Sequence, residues 1–85
     1  MTTPADFIAF FESIPDEQWC VGAQESFDYG CALHLCYLRG NGGEDAVALM
    51  SLLNRQAAKI NDGLDPRYQQ PTPRARIVAA LMDVK

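Results

Sequence analysis

Eighty-five residues, 48% hydrophobic and 21% charged, have the composition of one globular domain with a single modest core, and not of a disordered tail. The net charge of −4 opposes binding to a phosphate backbone, and no apolar run approaches the roughly 18 residues that a bilayer span needs, so neither nucleic acid nor membrane is an expected partner. Cys20, Cys31 and Cys36 are an odd number that a secreted disulfide scaffold cannot pair in full, and the N-terminus lacks the basic and apolar blocks of a signal peptide; a cytoplasmic location is the expectation.

The charge is unevenly placed. Residues 1–45 carry eight acids against Arg39 alone, a net of −7, whereas residues 46–85 carry three acids against six bases, a net of +3. Two halves of opposite sign are expected to fold against each other and partly neutralise. They also allow head-to-tail self-association, or presentation of the basic half to an anion.

In chain order, Thr3-Pro4 opens a first helix, with threonine as N-cap and proline at the first helical position, where its missing N–H is not needed. Phe7, Phe10, Phe11 and Ile14 form its apolar stripe, read as core, and Pro15 closes it. Asp16-Glu17-Gln18 reads as a turn or a single helical turn, Trp19 as a core anchor, and Gln24–Phe27 as loop. Asp28 is the expected cap of a second helix running to about Leu38, with Gly40 as its stop. The composition of 31–38, rich in Ala and Leu rather than Val and Ile, favours helix over a buried strand. Arg39–Gly43 is a loop.

Glu44 to Ile60 is the longest periodic stretch and is expected to be one central helix. Ala46, Leu49, Met50, Leu53, Ala57 and Ile60 recur at the three-four spacing of one face. Glu44 and Asp45 at its start and Arg55 and Lys59 near its end suit the helix dipole. Asn61-Asp62-Gly63 supplies the stop, with a left-handed residue at Gly63 or Asn61. An irregular connection leads to Thr72-Pro73, which repeats the Thr3-Pro4 cap and starts a last helix whose apolar residues are Ile77, Val78, Ala80, Leu81 and Val84. Arg74 and Arg76 near that helix start oppose the dipole, so either an acidic neighbour compensates them or a ligand does. The sum is a single all-α domain over residues 1–85, a compact bundle of about four helices.

The order Trp19-Cys20-x-Gly22, then Cys31-Ala32, then Ile60-Asn61-Asp62 and Thr72 ahead of Val78-x-Ala80-Leu81 resembles that of a group of small uncharacterised helical proteins from bacteria, actinobacterial genomes and their phages among them. Those carry a W-C-x-G, C-A, W-N-D and T-x-x-x-V order. Ile60 stands here where the group has an aromatic, and Gly63–Gln70 is a distinctive insert. The resemblance spans about residues 19–84 and implies a compact helical fold and a microbial or phage origin. With no activity established for the group, it hands over no catalytic residues.

Cys20, Cys31, His34 and Cys36 have the donor types of a zinc site but lack paired C-x2–4-C knuckles, and Cys36 would point about 160° from His34 on one helix, at 100° per residue. No metal or other cofactor is expected. Cys31 and His34, with Asp28 behind them, outline a cysteine hydrolase, but so apolar a segment raises a thiol pKa rather than lowering it. The remaining candidate site is polar: Arg67, Tyr68, Gln69, Gln70, Arg74 and Arg76, beside the helix start at Thr72. Its internal reading is that Asn61 and Asp62 cap helices and that Arg67 pairs with an acid of the first half. The expected function is binding rather than catalysis: a small protein-interaction module or inhibitor, of the kind a phage or mobile element uses against a host protein. That module has a protein partner and is expected to self-associate. The alternative is a protein that binds or sequesters a small anionic ligand, and a cysteine-dependent hydrolase stands third.

Overall fold

Threonine caps begin the chain's first and last helices, and the two helices pack on each other. The computed structural model describes residues 1–21 and 30–84, which form helices α1 (Pro4–Glu12), α2 (Ala32–Arg39), α3 (Gly43–Leu52), α4 (Ala57–Asn61) and α5 (Pro73–Met82), with one 3-10 turn at Asp16–Gln18. The domain measures 32 × 25 × 20 Å. α1 lies along α5, α2 along α3, and α4 bridges α2 and α5. The architecture is the expected all-α bundle, and residues 32–39 are helix rather than strand. The expected Asp28 cap and the Gln24–Phe27 loop lie outside the described residues.

In α1 the Thr3 hydroxyl accepts the Asp6 N–H at 3.2 Å while the Asp6 carboxylate faces the Thr3 N–H at 3.4 Å, a reciprocal capping box with Pro4 behind the cap. Phe7 and Phe11 are fully buried, their ring centres 6.0 Å apart, and Phe11 meets Trp19 at 5.2 Å. The Trp19 indole N–H donates to the Ile14 carbonyl, so the largest core side chain also satisfies its polar atom. The aromatic stripe is core, as its spacing suggested.

The expected single helix over 44–60 is two helices. α3 ends at Leu52, and Asn54 and Arg55 both take positive φ, 53° and 63°. Asn54 N–H bonds the Ser51 carbonyl and Arg55 N–H bonds the Met50 carbonyl at 2.7 Å, the hydrogen-bond pair of a Schellman cap with asparagine in the left-handed position. The apolar stripe continues across the break: Leu49, Leu53, Ala57 and Ile60 are all buried. The helix changes direction while its face stays on the core. A second Schellman pair, Gly63 N–H to Ile60 O and Leu64 N–H to Lys59 O, ends α4 with Gly63 at φ 76°, where the Asn-Asp-Gly stop was expected.

Asp45 lies in the first turn of α3, as the dipole argument expected, and has a second role. It is 1% exposed, and its carboxylate accepts the Asn41 N–H at 2.6 Å and the Met1 ammonium at 2.9 Å. The Asn41 bond, and after it the Met1 ammonium, hold its pKa below the usual carboxylate range. It thereby also ties the chain start and the 40–42 turn to α3.

Asn61 joins the elements. Its Oδ1 accepts the N–H of Ala32, the first residue of α2, whose N-cap residue Cys31 does not cap the helix through its side chain. Its Nδ2 donates to the Cys20 carbonyl, and its backbone carbonyl accepts Nε and Nη2 of Arg76. Asn61→Ala removes its side-chain bonds to Ala32, Cys20 and Asp62 and strands a buried N–H and a buried carbonyl; a loss of about 2–4 kcal/mol in urea unfolding is expected. A loss below about 1 kcal/mol would mean that solvent reaches these groups and that the junction is not the tie described.

Candidate functional site

The six polar side chains singled out from the sequence are distributed over three places. Arg67 and Tyr68 lie together in the connection between α4 and α5. Asp65 is buried there, accepting the Arg67 backbone N–H at 3.0 Å, Nε at 3.1 Å and Nη2 at 2.8 Å. The Arg67 side-chain bonds, reinforced by its backbone N–H, pull the Asp65 pKa down to about 2. The partner of Arg67 is therefore an acid of its own loop and not, as expected, one of the first half. Its guanidinium also lies 5.3 Å from the centre of the Tyr68 ring. Tyr68 is buried and donates its phenol to Asp83 at 2.9 Å; that bond, then burial, raises its pKa.

Gln69 turns back on the loop, its Nε2 donating to the carbonyls of Asp65 at 2.6 Å and Gly63 at 3.1 Å. The Gln70 carbonyl accepts Arg76 Nη1 at 2.8 Å. Arg76 is thus buried, with three bonds to two backbone carbonyls, those of Asn61 and Gln70. Arg74, about 200° around the helix from Arg76, points toward α1. It donates to the Ile14 carbonyl at 3.1 Å and pairs with Asp16 at 3.2 Å. Of the two explanations for arginines at this helix start, an acidic neighbour applies to Arg74; Arg76 is answered by neither but by backbone carbonyls. Thr72 caps the helix as expected, accepting the Ala75 N–H at 3.1 Å.

Two depressions flank α5. One, a cleft of about 290 Å³, opens between the α3–α4 corner and the C-terminal end of α5. Leu52, Leu53, Ile60 and Ala80 make its apolar wall, and Arg67, Tyr68, Asp83 and Asn54 its polar one. The other, a groove of about 530 Å³, runs along the opposite side of α5 over Ala75, Val78, Ala79 and Met82, with Glu12 and Arg74 on its rim. These four apolar residues stand at i, i+3, i+4 and i+7, one continuous helical face. Met82 is 71% exposed. Apolar residues therefore occupy both the inner and the outer face of α5. Of the apolar residues expected on one face, Ile77, Ala80 and Leu81 are buried, whereas Val78 lies in the outer groove with Ala75, Ala79 and Met82.

The cysteines do not converge. Cys36 faces the core, where burial pushes its thiol up to about 12, while Cys31 is the half-buried N-cap of α2. The His34 ring lies against Gly30, in space a Cβ there would need. Among the described residues no group of three or more His, Cys, Asp or Glu side chains is placed to hold a metal ion. Comparison of the chain with family models, with curated proteins and with solved structures returns no match.

Two outcomes follow. Asp65 has its folded pKa below the unfolded value of about 3.9, so its contribution to stability is full above about pH 4 and is lost as pH falls toward about 2. Asp45 acts in the same sense. Chemical unfolding between pH 5 and 2 should show a steep acid limb, flattened in Asp65→Asn; an unchanged limb in that variant would count against the pairing. Cys36 should react with a thiol reagent only as fast as the domain opens, and faster labelling at native pH would contradict its buried placement.

Proposed function

We propose that the protein is a small protein-interaction module that takes an amphipathic helix of a protein partner into the groove along the outer face of α5. The observation that carries this reading is the apolar face Ala75, Val78, Ala79 and Met82 on a helix whose inner face is already committed to the core. A surface helix normally turns charged residues outward, and α5 has none to turn: Arg74 is engaged by Asp16, and Arg76 is directed inward. Ala75 and Ala79 let a second helix approach closely, while Val78 and Met82 offer apolar contact.

The rim sets the partner's charge. Glu12 is exposed and makes no ion pair among the described residues, whereas the Arg74 charge is already answered by Asp16. The groove margin is therefore acidic in balance. A partner helix with apolar residues at i, i+3, i+4 and i+7 and a flanking lysine or arginine complements it. A role as an accessory or inhibitor protein of phage or mobile-element origin accords with such a module. The alternative, a small-anion binder, has less support, because Arg67, Arg74 and Arg76 are all engaged by internal acceptors.

Selection of binders from a displayed library of helical peptides tests the reading. The expected winners carry the apolar spacing and basic flanks above, shift amide resonances of residues 74–82, and lose binding at least tenfold to Met82→Glu, a change at a 71%-exposed side chain that leaves thermal stability unchanged. Binders insensitive to Met82→Glu would overturn it. So would sedimentation showing a homodimer that Met82→Glu dissolves, since a second copy would then cover the face.

A further inference from the structure

The cleft on the other side of α5 has a charge balance and a donor–acceptor balance of its own. Among the described residues its lining carries two ionised groups, Arg67 and Asp83, and Asp65 lies beside Arg67. Asp65 and Arg67 neutralise each other through two side-chain bonds and a backbone bond. Asp83 remains. It is exposed, its Oδ2 accepts the Tyr68 phenol at 2.9 Å, and no cation among the described residues lies within ion-pair distance of it. Asp83 is thus the carboxylate of this lining that no ion pair answers among the described residues, and aliphatic side chains make the remaining wall.

The polar end is rich in acceptors. Asp83 offers its second carboxylate oxygen. The Tyr68 oxygen, whose proton goes to Asp83, keeps its own lone pairs. Asn54 adds a side-chain carbonyl at the rim. Its position is set by the Schellman cap, which places Asn54 and Arg55 in the left-handed region with the 2.7 Å bond from Arg55 N–H to Met50 O behind them. A carboxylate or phosphate entering here would meet Asp83. An uncharged apolar molecule would strip water from that carboxylate without replacing it. A primary ammonium supplies one positive charge and three N–H donors for these three acceptors, and its carbon chain lies along Leu52, Leu53, Ile60 and Ala80. At about 290 Å³ the cleft is at the lower limit of small-molecule pockets, which run from about 300 Å³ upward. The body of the ligand is accordingly a short aliphatic one.

We propose that this cleft is a binding site for a small aliphatic primary amine, with Asp83 as the counter-charge, Tyr68 and Asn54 as further acceptors, and the Asp65–Arg67 pair as the neutral flank that keeps the site selective for a monocation. The site lies across α5 from the docking groove and does not depend on it.

Isobutylammonium, isobutyrate and isobutanol share one carbon skeleton and can be titrated at constant ionic strength while backbone amide resonances are followed. The expected result is a saturable shift with the amine alone, confined to residues 52–55, Tyr68 and 80–84. Asp83→Asn should weaken binding tenfold or more, and Tyr68→Phe severalfold. Asn54→Gly, which keeps the left-handed backbone and removes only the side chain, should weaken it severalfold without loss of fold, so the proposal stays testable if Asp83→Asn unfolds. Met82→Glu, on the other face, should leave amine binding intact. Equal shifts with the carboxylate or the alcohol, undiminished binding in Asp83→Asn or Asn54→Gly, or no saturable shift with the amine would each overturn it.

Discussion

Everything that positions the two sides of α5 depends on one buried asparagine. Asn61 supplies an acceptor to the first N–H of α2, a donor to the carbonyl of Cys20, and its own backbone carbonyl to the guanidinium of Arg76. Few side chains can take its place. Aspartate would have no donor for the Cys20 carbonyl and would bring a charge into the core. Leucine would fill the volume and leave a helix N–H and a carbonyl without partners. In a low-dielectric interior these bonds reinforce one another, and each becomes costly to leave unmade. Arg76 completes the junction. It is a buried cation answered by carbonyl dipoles, not by a carboxylate, and its planar fork reaches Asn61 and Gln70 at once in a way an ammonium would not.

This junction explains why so short an element as α4 exists. A five-residue helix has no stability of its own, since helix nucleation alone outweighs what so few hydrogen bonds return. It is held by a Schellman cap before it, a second one after it, and the burial of Ala57 and Ile60. What α4 provides is the placement of Asn61 at the centre and, immediately beyond Gly63, the start of the connection that carries Asp65, Arg67 and Tyr68. Gly63 serves this in two ways: it takes φ 76°, and the Arg76 guanidinium lies where a Cβ would come within 3.4 Å. The cleft and the groove therefore share one foundation, and both lie against a helix whose orientation Asn61 sets through Arg76.

The parts legible in the sequence are those whose physics is local. Thr3-Pro4 and Thr72-Pro73 signal helix starts because a cap bond spans three residues, and Asn61-Asp62-Gly63 signals a stop because the left-handed position falls at the glycine. The apolar stripe from Leu49 to Ile60 is legible because burial follows spacing. The break within it was not: Leu53-Asn54-Arg55-Gln56 contains neither glycine nor proline, and only tertiary packing makes arginine accept a positive φ. Asn61 was read as a cap, which it is, but of a helix that begins 29 residues earlier in the chain. No local pattern encodes that distance. The arginines misled in the opposite direction. Arg67, Arg74 and Arg76 are close in sequence, yet a loop and about 200° of helical phase separate them in space. Their internal partners, Asp65, Asp16 and the Asn61 carbonyl, become apparent only once the chain is folded.

The consequence for function lies in how α5 is used. Its residues divide by phase into a core face around Ile77 and Leu81, an outer face of Ala75, Val78, Ala79 and Met82, and a C-terminal edge where Ala80 and Asp83 meet Tyr68. A helix with apolar side chains on nearly all sides is ordinarily an interior helix, and its place at the surface of so small a domain would invite unspecific association. Three features restrain this. The net charge of −4 opposes self-aggregation, the outer apolar face is only one helix wide, and Glu12 and the Arg74–Asp16 pair bound it with charge. In the proposed reading, a partner matches both a narrow apolar face and its charged margin. The acidic excess of the first half, expected from the sequence to neutralise the basic half, does so at Asp16, which answers an arginine that would otherwise oppose the α5 dipole; in the proposed reading Glu12 sets the charge that a docking helix brings.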